Sequence, residues 1–250
     1  MILSTILWVG LLVAPVALVC FVRPLRFLGI RTRSAAAWVL AASLGAILLA
    51  LVWPARTYRS EGNRAIDRFM PVYHAHEFHE TRVQAPPEEV YRAIREVRAD
   101  EIRFLKTLMG IRSLPSVFTG RRRQFPDGRP ILDIATGSSF LYLADEPPRE
   151  LVVGTVGRFW GSSGGVSPRP ESPEAFLAFD LPGYARAVMN FVVEPQNDGW
   201  SRVTTETRVF APESSVRLKF TIYWRFIYPG SSLSRYGWLE AVRRRAEPRR

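Results

Sequence analysis

Cysteine is almost missing from this chain: Cys20 is the only one in 250 residues, which excludes an internal disulfide and any cysteine-based metal motif. There is no glycine-rich phosphate loop and no G-x-S-x-G elbow, so neither nucleotide hydrolysis nor α/β-hydrolase chemistry is written in the sequence. Histidine is confined to one short stretch, "YHAHEFHET", which holds His74, His76 and His79. Lysine is scarce, because the 34 basic residues behind the net charge of +11 are nearly all arginine. These arginines are scattered, with clusters only at Arg121–Arg123 and in the tail "RRRAEPRR". A nucleic-acid binder would interleave basic residues and aromatics on one face around a recognisable motif; lacking both, the chain is expected to bind no nucleic acid. The charge instead suits a solvated surface, or attraction to anionic lipid headgroups.

Charge itself is absent from two long runs. Met1–Val22 has no charged side chain over 22 residues, and Ser34–Trp53 is equally free of charge. At ~1.5 Å per residue each spans the ~30 Å of a bilayer's hydrocarbon core. Trp38 and Trp53 stand where amphipathic rings would meet the membrane boundary. The runs are joined by "RPLRFLGIRTR", so residues 1–53 read as a transmembrane helical hairpin with spans 1–22 and 34–53. A cleavable signal peptide wants a basic start and a small-residue cleavage site, and this segment has neither. The expected localisation is therefore an integral, multi-pass protein of a bacterial-type cell membrane. Arginines nearly balance on the two sides of the hairpin, and the uncharged N-terminus leans the reading towards an extracytoplasmic domain.

Residues 54–72 are polar and contain Gly62 and Asn63, as a linker or short juxtamembrane helix would. "HEFHETRVQA" reads as a strand running into "APPEEVYRAIREV", where Pro86 and Pro87 open a helix with Glu88 and Glu89 in its first turn. A second helix is expected over Asp100–Ile111, stopping at Leu114-Pro115. "SSFLYLADEPPRELVVGTVGRFW" reads as two strands joined at Glu146–Arg149. "YARAVMNFVVEP" and "WSRVTTETRVFA" form a hairpin across "QNDG". Alternation along that hairpin puts Ala185, Ala187, Met189, Phe191 and Val193 beside Val203, Thr205, Thr207 and Val209 on an apolar face. It leaves Arg186, Asn190, Arg202, Glu206 and Arg208 for a wet face. "WGSSGGVSPRPESP" is a loop, either plain surface or a lip over a cavity. "SVRLKFTIYWRF" satisfies both strand and helix periodicity, with "PGSS" breaking the chain after it.

The order of these elements, and above all "VQAPPEEVYRAI", resembles the START-like, polyketide cyclase (SRPBCC, helix-grip) superfamily over roughly residues 73–247. The resemblance implies an α+β fold in which an antiparallel sheet wraps a C-terminal helix, and so a helix for "ESSVRLKFTIYWRFIYPGSSLSRYGWLEAVRRRAE". It implies a cavity between sheet and helix and hence a membrane-anchored binding domain for a lipid or other hydrophobic small molecule. Met189, Phe191, Val203, Thr205, Thr207, Phe220, Trp224 and Arg158 are the candidate lining residues. Two alternatives stay open: a polyketide cyclase/dehydratase-like enzyme, or a membrane interaction module that binds no small molecule. Catalytic residues of the superfamily vary too much to carry over. Tyr142, Asp133, Arg158 and Glu206 are the attractive acid–base candidates, none with a partner fixed by spacing.

Strand alternation also bears on the histidines. It places His74 and His76 on one face, and Glu77 with His79 on the other, so three imidazoles cannot meet at one ion. Neither metal nor cofactor is expected.

Overall fold

Helix α1 (Ile2–Val22) and helix α2 (Arg33–Val52) are each long and apolar enough to cross a membrane. Thr32 caps α2, its hydroxyl accepting from the Ala35 amide at 3.1 Å. The two pack through small residues: Ala36, Ser43 and Ala50 recur every seventh position and are buried, facing Gly10, Ala17 and Cys20 among others. A Cβ on Gly10 would sit 2.7 Å from Ile47 Cγ1 and 3.2 Å from the Ser43 carbonyl, so this close crossing requires glycine.

The computed structural model describes residues 2–23, 29–30, 32–108, 110, 128–161 and 168–247. They divide into two units, Met1–Ala55 with Thr221–Pro229, and Arg56–Phe220 with Gly230–Arg250. The hairpin thus shares its unit with part of a C-terminal helix. Among the contacts of that part, Trp8 Nε1 donates to the Phe226 carbonyl at 3.1 Å, and buried Arg225 donates to the Leu51 and Trp53 carbonyls, capping the end of α2.

The second unit is built on a five-stranded antiparallel sheet. Its strands are β3 (Ala75–Val83), β4 (Phe140–Glu146), β5 (Glu150–Gly157), β6 (Ala185–Pro195) and β7 (Ser201–Phe210), in the order β3-β7-β6-β5-β4. A two-residue pairing of β1 (Tyr58–Arg59) with β2 (Val72–Tyr73) precedes it. Between these lies α3 (Ala65–Phe69), so the stretch read as a linker or short juxtamembrane helix contains a short helix within this unit. Helix α4 (Pro87–Glu96) follows β3, as the Pro-Pro-Glu-Glu signal implies. Further on come α5 (Ile131–Thr136), α6 (Pro173–Leu177) and the long α7 (Ser214–Ala246). Helix α7 runs through Pro229 without ending, so "PGSS" does not break it. The helix expected over Asp100–Ile111 is regular at 105–108 and again at 110, after turns in which Phe104 takes a φ of 63°. Arg121–Arg123, the Leu114-Pro115 stop and the centre of the Gly-Ser loop lie outside the described residues.

Both sheet faces are covered. On the helix face, Val83, Val153, Met189, Phe191 and Val203 share one core with Val90 and Ile94 of α4 and with Trp238, Leu239 and Val242 of α7. Gly237 lets α7 approach closely, since a Cβ there would lie 2.9 Å from the Arg103 carbonyl. On the back face, Val152, Val156 and Val188 pack with Ile66 and Met70 around α3 and with Phe176 of α6. The face expected to be wet is therefore a second core at Asn190, Glu206 and Arg208, while Arg186 and Arg202 stay partly exposed. Alternation separates two faces correctly but does not say what lands on each; here α3 and α6, too short to show a helical period, cover the polar side.

Candidate functional site

The helix face of the sheet is not uniformly apolar. The register sets Glu77 opposite Thr207 and Thr207 opposite Met189; one step along, His79 faces Thr205 and Thr205 faces Phe191. Period-two alternation brings Glu77 and His79 to this one face, beside the apolar stretch of β6. Glu77 is 2% and His79 5% exposed. Their side chains meet, His79 Nε2 to Glu77 Oε1, at 2.8 Å. Helix α7 completes the group: the Ser231 hydroxyl donates to Glu77 Oε2 at 2.6 Å, Ser232 Oγ lies 3.5 Å from His79 Nε2, and the Tyr236 ring stands edge-on to the imidazole at 4.4 Å. In a neutral ring with the carboxylate accepting at Nε2, the proton sits there and Nδ1 is left as an acceptor.

Beside this pair stand Arg235 and Trp238 of α7. The Arg235 guanidinium lies 5.6 Å from the Trp238 ring centre and directs Nη1 at the Met189 thioether, a weak acceptor. Burial holds Arg235 below the usual arginine value, with the charge of Glu77 opposing that shift. The Trp238 ring in turn packs on Phe191, their centres 5.0 Å apart. Four buried atoms in this region, His79 Nδ1, Thr207 Oγ1, Arg235 Nε and Trp238 Nε1, have no hydrogen-bond partner among the described residues. Each such atom costs about 1–3 kcal/mol. These atoms belong to residues on the helix face of the sheet and on α7.

The back face carries a different kind of polar group. Arg208, 4% exposed, donates from Nε to Glu206 Oε1 at 2.7 Å and from Nη2 to Glu206 Oε2 at 3.1 Å. Its Nη1 reaches Asp67 Oδ1 at 2.7 Å and the Met70 carbonyl at 3.0 Å. Burial pushes the Asp67 carboxyl up, but hydrogen bonds from Ser60 and Arg208 outweigh it and hold the group below its ordinary value. Glu150 accepts from the Ala65 and Ile66 amides at 2.8 and 3.2 Å and from Asn190 Nδ2 at 2.8 Å, so the N-terminus of α3 is tied to β5 and β6. Every group in this network has a partner; it fastens residues 60–70 to the sheet.

The sequence-derived candidates are dispersed. Met189, Phe191, Val203, Thr205 and Thr207 all lie on the helix face, and Met189, Phe191, Val203 and Thr205 are at most 5% exposed. Phe220 is buried, edge-on to Phe159, whereas Trp224 belongs to the unit of the hairpin. Arg158 is exposed, just past the end of β5, with its Nε donating to the Gly183 carbonyl and its guanidinium over Tyr184. Of the acid–base candidates, Glu206 is bound to Arg208 on the back face, Asp133 is exposed on α5, and Tyr142 packs under Arg95. The acid that does face α7 is Glu77, and the sequence offered one signal for it, its shared parity with His79.

The three histidines go to three places. His76 meets Tyr58 edge-on, and His79 faces α7. His74, between β2 and β3, stacks on Phe210 and accepts the Ala211 amide at Nδ1 over 3.1 Å. No group of three metal-binding side chains occurs among the described residues. Burial, with the Arg217 charge, pushes His74 down to about 4. A depressed histidine favours the native state while neutral. Its contribution is thus complete above the unfolded value of about 6.5 and is lost as pH falls through that value towards 4, about 3 kcal/mol in all. Thermal melting should drop over that window, and a His74→Asn variant should show a flatter pH profile; equal slopes in the two proteins would contradict this.

Surface cavities among the described residues lie elsewhere. An open polar groove of about 810 Å³ runs past Arg98, Glu101, Arg244 and Arg245, and a pocket of about 280 Å³ is lined by Leu177, Phe179, Tyr184 and Phe210.

No family model matches this chain, and no curated protein matches it. Among solved structures it is similar to protein MLL2253 of Mesorhizobium loti, at 16% identity and a TM-score of 0.34, covering 68% of this chain and 96% of the other. It is similar also to jhp0584 of Helicobacter pylori, at 11% identity and a TM-score of 0.38 over 76% and 99% of the two chains. A third is CalU16 of Micromonospora echinospora, at 14% identity and a TM-score of 0.26 over 76% and 94%. None of these likenesses assigns a ligand or a reaction.

Proposed function

We propose that the chain is a membrane-anchored binding domain for a lipid or other hydrophobic small molecule. In this reading the α1–α2 hairpin is the anchor and crosses the bilayer twice, and the sheet with α7 is a helix-grip, START-like arrangement. The supporting observation is the set of buried polar atoms without partners, gathered beside Met189, Phe191 and Trp238. A face filled only for stability would carry apolar side chains there; the desolvated polar atoms are repaid when a ligand's polar end meets them. A ligand burying ~300 Å² of apolar surface would gain ~7 kcal/mol before the costs of ordering. The full chain, extracted in a mild uncharged detergent and examined by native mass spectrometry, should carry one small hydrophobic molecule. A chain found at its bare mass that also takes up no added long-chain amphiphile would overturn the proposal.

One contact favours a second reading. Glu77 and His79, 2.8 Å apart and nearly dry, form a carboxylate–imidazole pair with Nδ1 open. In an enzyme resembling the polyketide cyclases and dehydratases, Glu77 would orient the imidazole and balance its charge while Nδ1 takes a proton from a hydrophobic substrate. Incubation in heavy water separates the two readings. Deuterium entering the recovered ligand, and no longer entering it with a His79→Gln variant, marks an enzyme; an unlabelled ligand marks a binding protein.

A further inference from the structure

The four unpartnered atoms are not alike, and their chemistry selects a head group. Arg235 Nε and Trp238 Nε1 are obligatory donors, and the Thr207 hydroxyl can donate. His79 Nδ1, an acceptor in the neutral ring, does not choose between an anionic and a neutral head. Trp238 is 8% exposed, so its indole N–H is inside the protein, and the Arg235 guanidinium stands over the same ring. Among the described residues Arg235 forms no ion pair, and its one hydrogen-bond partner is the Met189 sulfur. Glu77, whose charge reaches Arg235, meets His79 and Ser231 and makes no hydrogen bond to the guanidinium among the described residues. Two buried N–H donors without acceptors, one of them on a cation, favour an anionic partner.

We infer that the ligand is an amphiphile with a compact anionic head, a carboxylate or phosphate monoester, held by Arg235 Nε and Trp238 Nε1. The apolar chain lies along Met189 and Phe191. This rests on the binding reading above and narrows it to one chemical class.

The test uses the full chain in uncharged detergent, with palmitate, hexadecyl phosphate and hexadecanol as probes and native mass spectrometry to count bound molecules. All three share one tail, so the head alone differs. At least one of the two acids should bind ten-fold or more tighter than the alcohol, and the better acid identifies the head. Arg235→Gln should bring that ratio to about one while hexadecanol still binds, and Trp238→Phe should weaken the acid several-fold. Equal binding of acids and alcohol by the unaltered chain would overturn the anionic head and leave the pocket standing. Binding of none of the three would overturn the pocket as well. The comparison on the unaltered chain decides the matter even where a variant fails to fold.

Discussion

Replacing Arg208 by methionine is expected to destabilise the protein by about 3–5 kcal/mol, because it strands two buried carboxylates. Asp67 and Glu206 are both 8% exposed, and both direct an oxygen at the Arg208 guanidinium. Without the cation neither stays ionised at its present depth without cost, and the Met70 carbonyl loses its donor too. For a chain of this length the loss corresponds to a Tm lower by roughly 6–20 °C. Because Arg208 bridges α3 to β7, protection of the amides in 60–70 should fall first in hydrogen exchange. A Tm within about 2 °C of the unaltered protein would show that the network carries no such weight.

The opposite result is expected on the other face. Changing Glu77 to methionine together with His79 to phenylalanine removes both members of a buried pair and replaces them by apolar groups of similar size. Such a replacement is neutral or stabilising, by about 1–4 kcal/mol, wherever the polar group is kept for a purpose other than stability, less the cost of leaving Arg235 without the Glu77 charge. Helix α7 loses the Ser231 contact to Glu77, a modest cost because a helical serine can bond back to its own helix. Ligand retention should change less than in the Arg235→Gln variant, since Arg235, Trp238 and Thr207 still offer polar atoms on that face. Melting curves and ligand counts on one preparation check both halves. A double variant that unfolds like the Arg208 variant would make the Glu77–His79 pair a structural feature and remove the support for the enzymatic reading.

These contrasting expectations reflect what sequence can and cannot reveal. Strand alternation separated Glu77 and His79 from His76 without any structure, because a period of two is a local property of extended backbone. It also grouped Met189, Phe191, Val203, Thr205 and Thr207 on one face. What covers each face is a long-range matter. Helix α3 has five residues and α6 five, too few for a helical period, so the back face was read as wet although Asn190, Glu206 and Arg208 are buried under them. Helix α7 was ambiguous by periodicity, and the proline at 229 argued against its continuity; resemblance, not local pattern, favoured helix. Nothing in the local pattern marked Arg225 as the cap of α2, since its partners are 174 and 172 residues away. Arg235 and Trp238 were missed for the same reason: a polar atom without a partner is recognisable only once its surroundings are assembled.

The central claim, that the helix face beside Glu77, His79, Arg235 and Trp238 receives a hydrophobic ligand, is tested most directly by photolabelling. The full chain in uncharged detergent is irradiated with a palmitate analogue carrying a diazirine in its chain, and the labelled residues are mapped by tandem mass spectrometry. The expected result is labelling on Met189, Phe191 or their neighbours on β6 and β7, suppressed by excess unlabelled palmitate. Labels confined to the exposed apolar residues of α1 and α2, or labels on the sheet that competitor does not reduce, would contradict it.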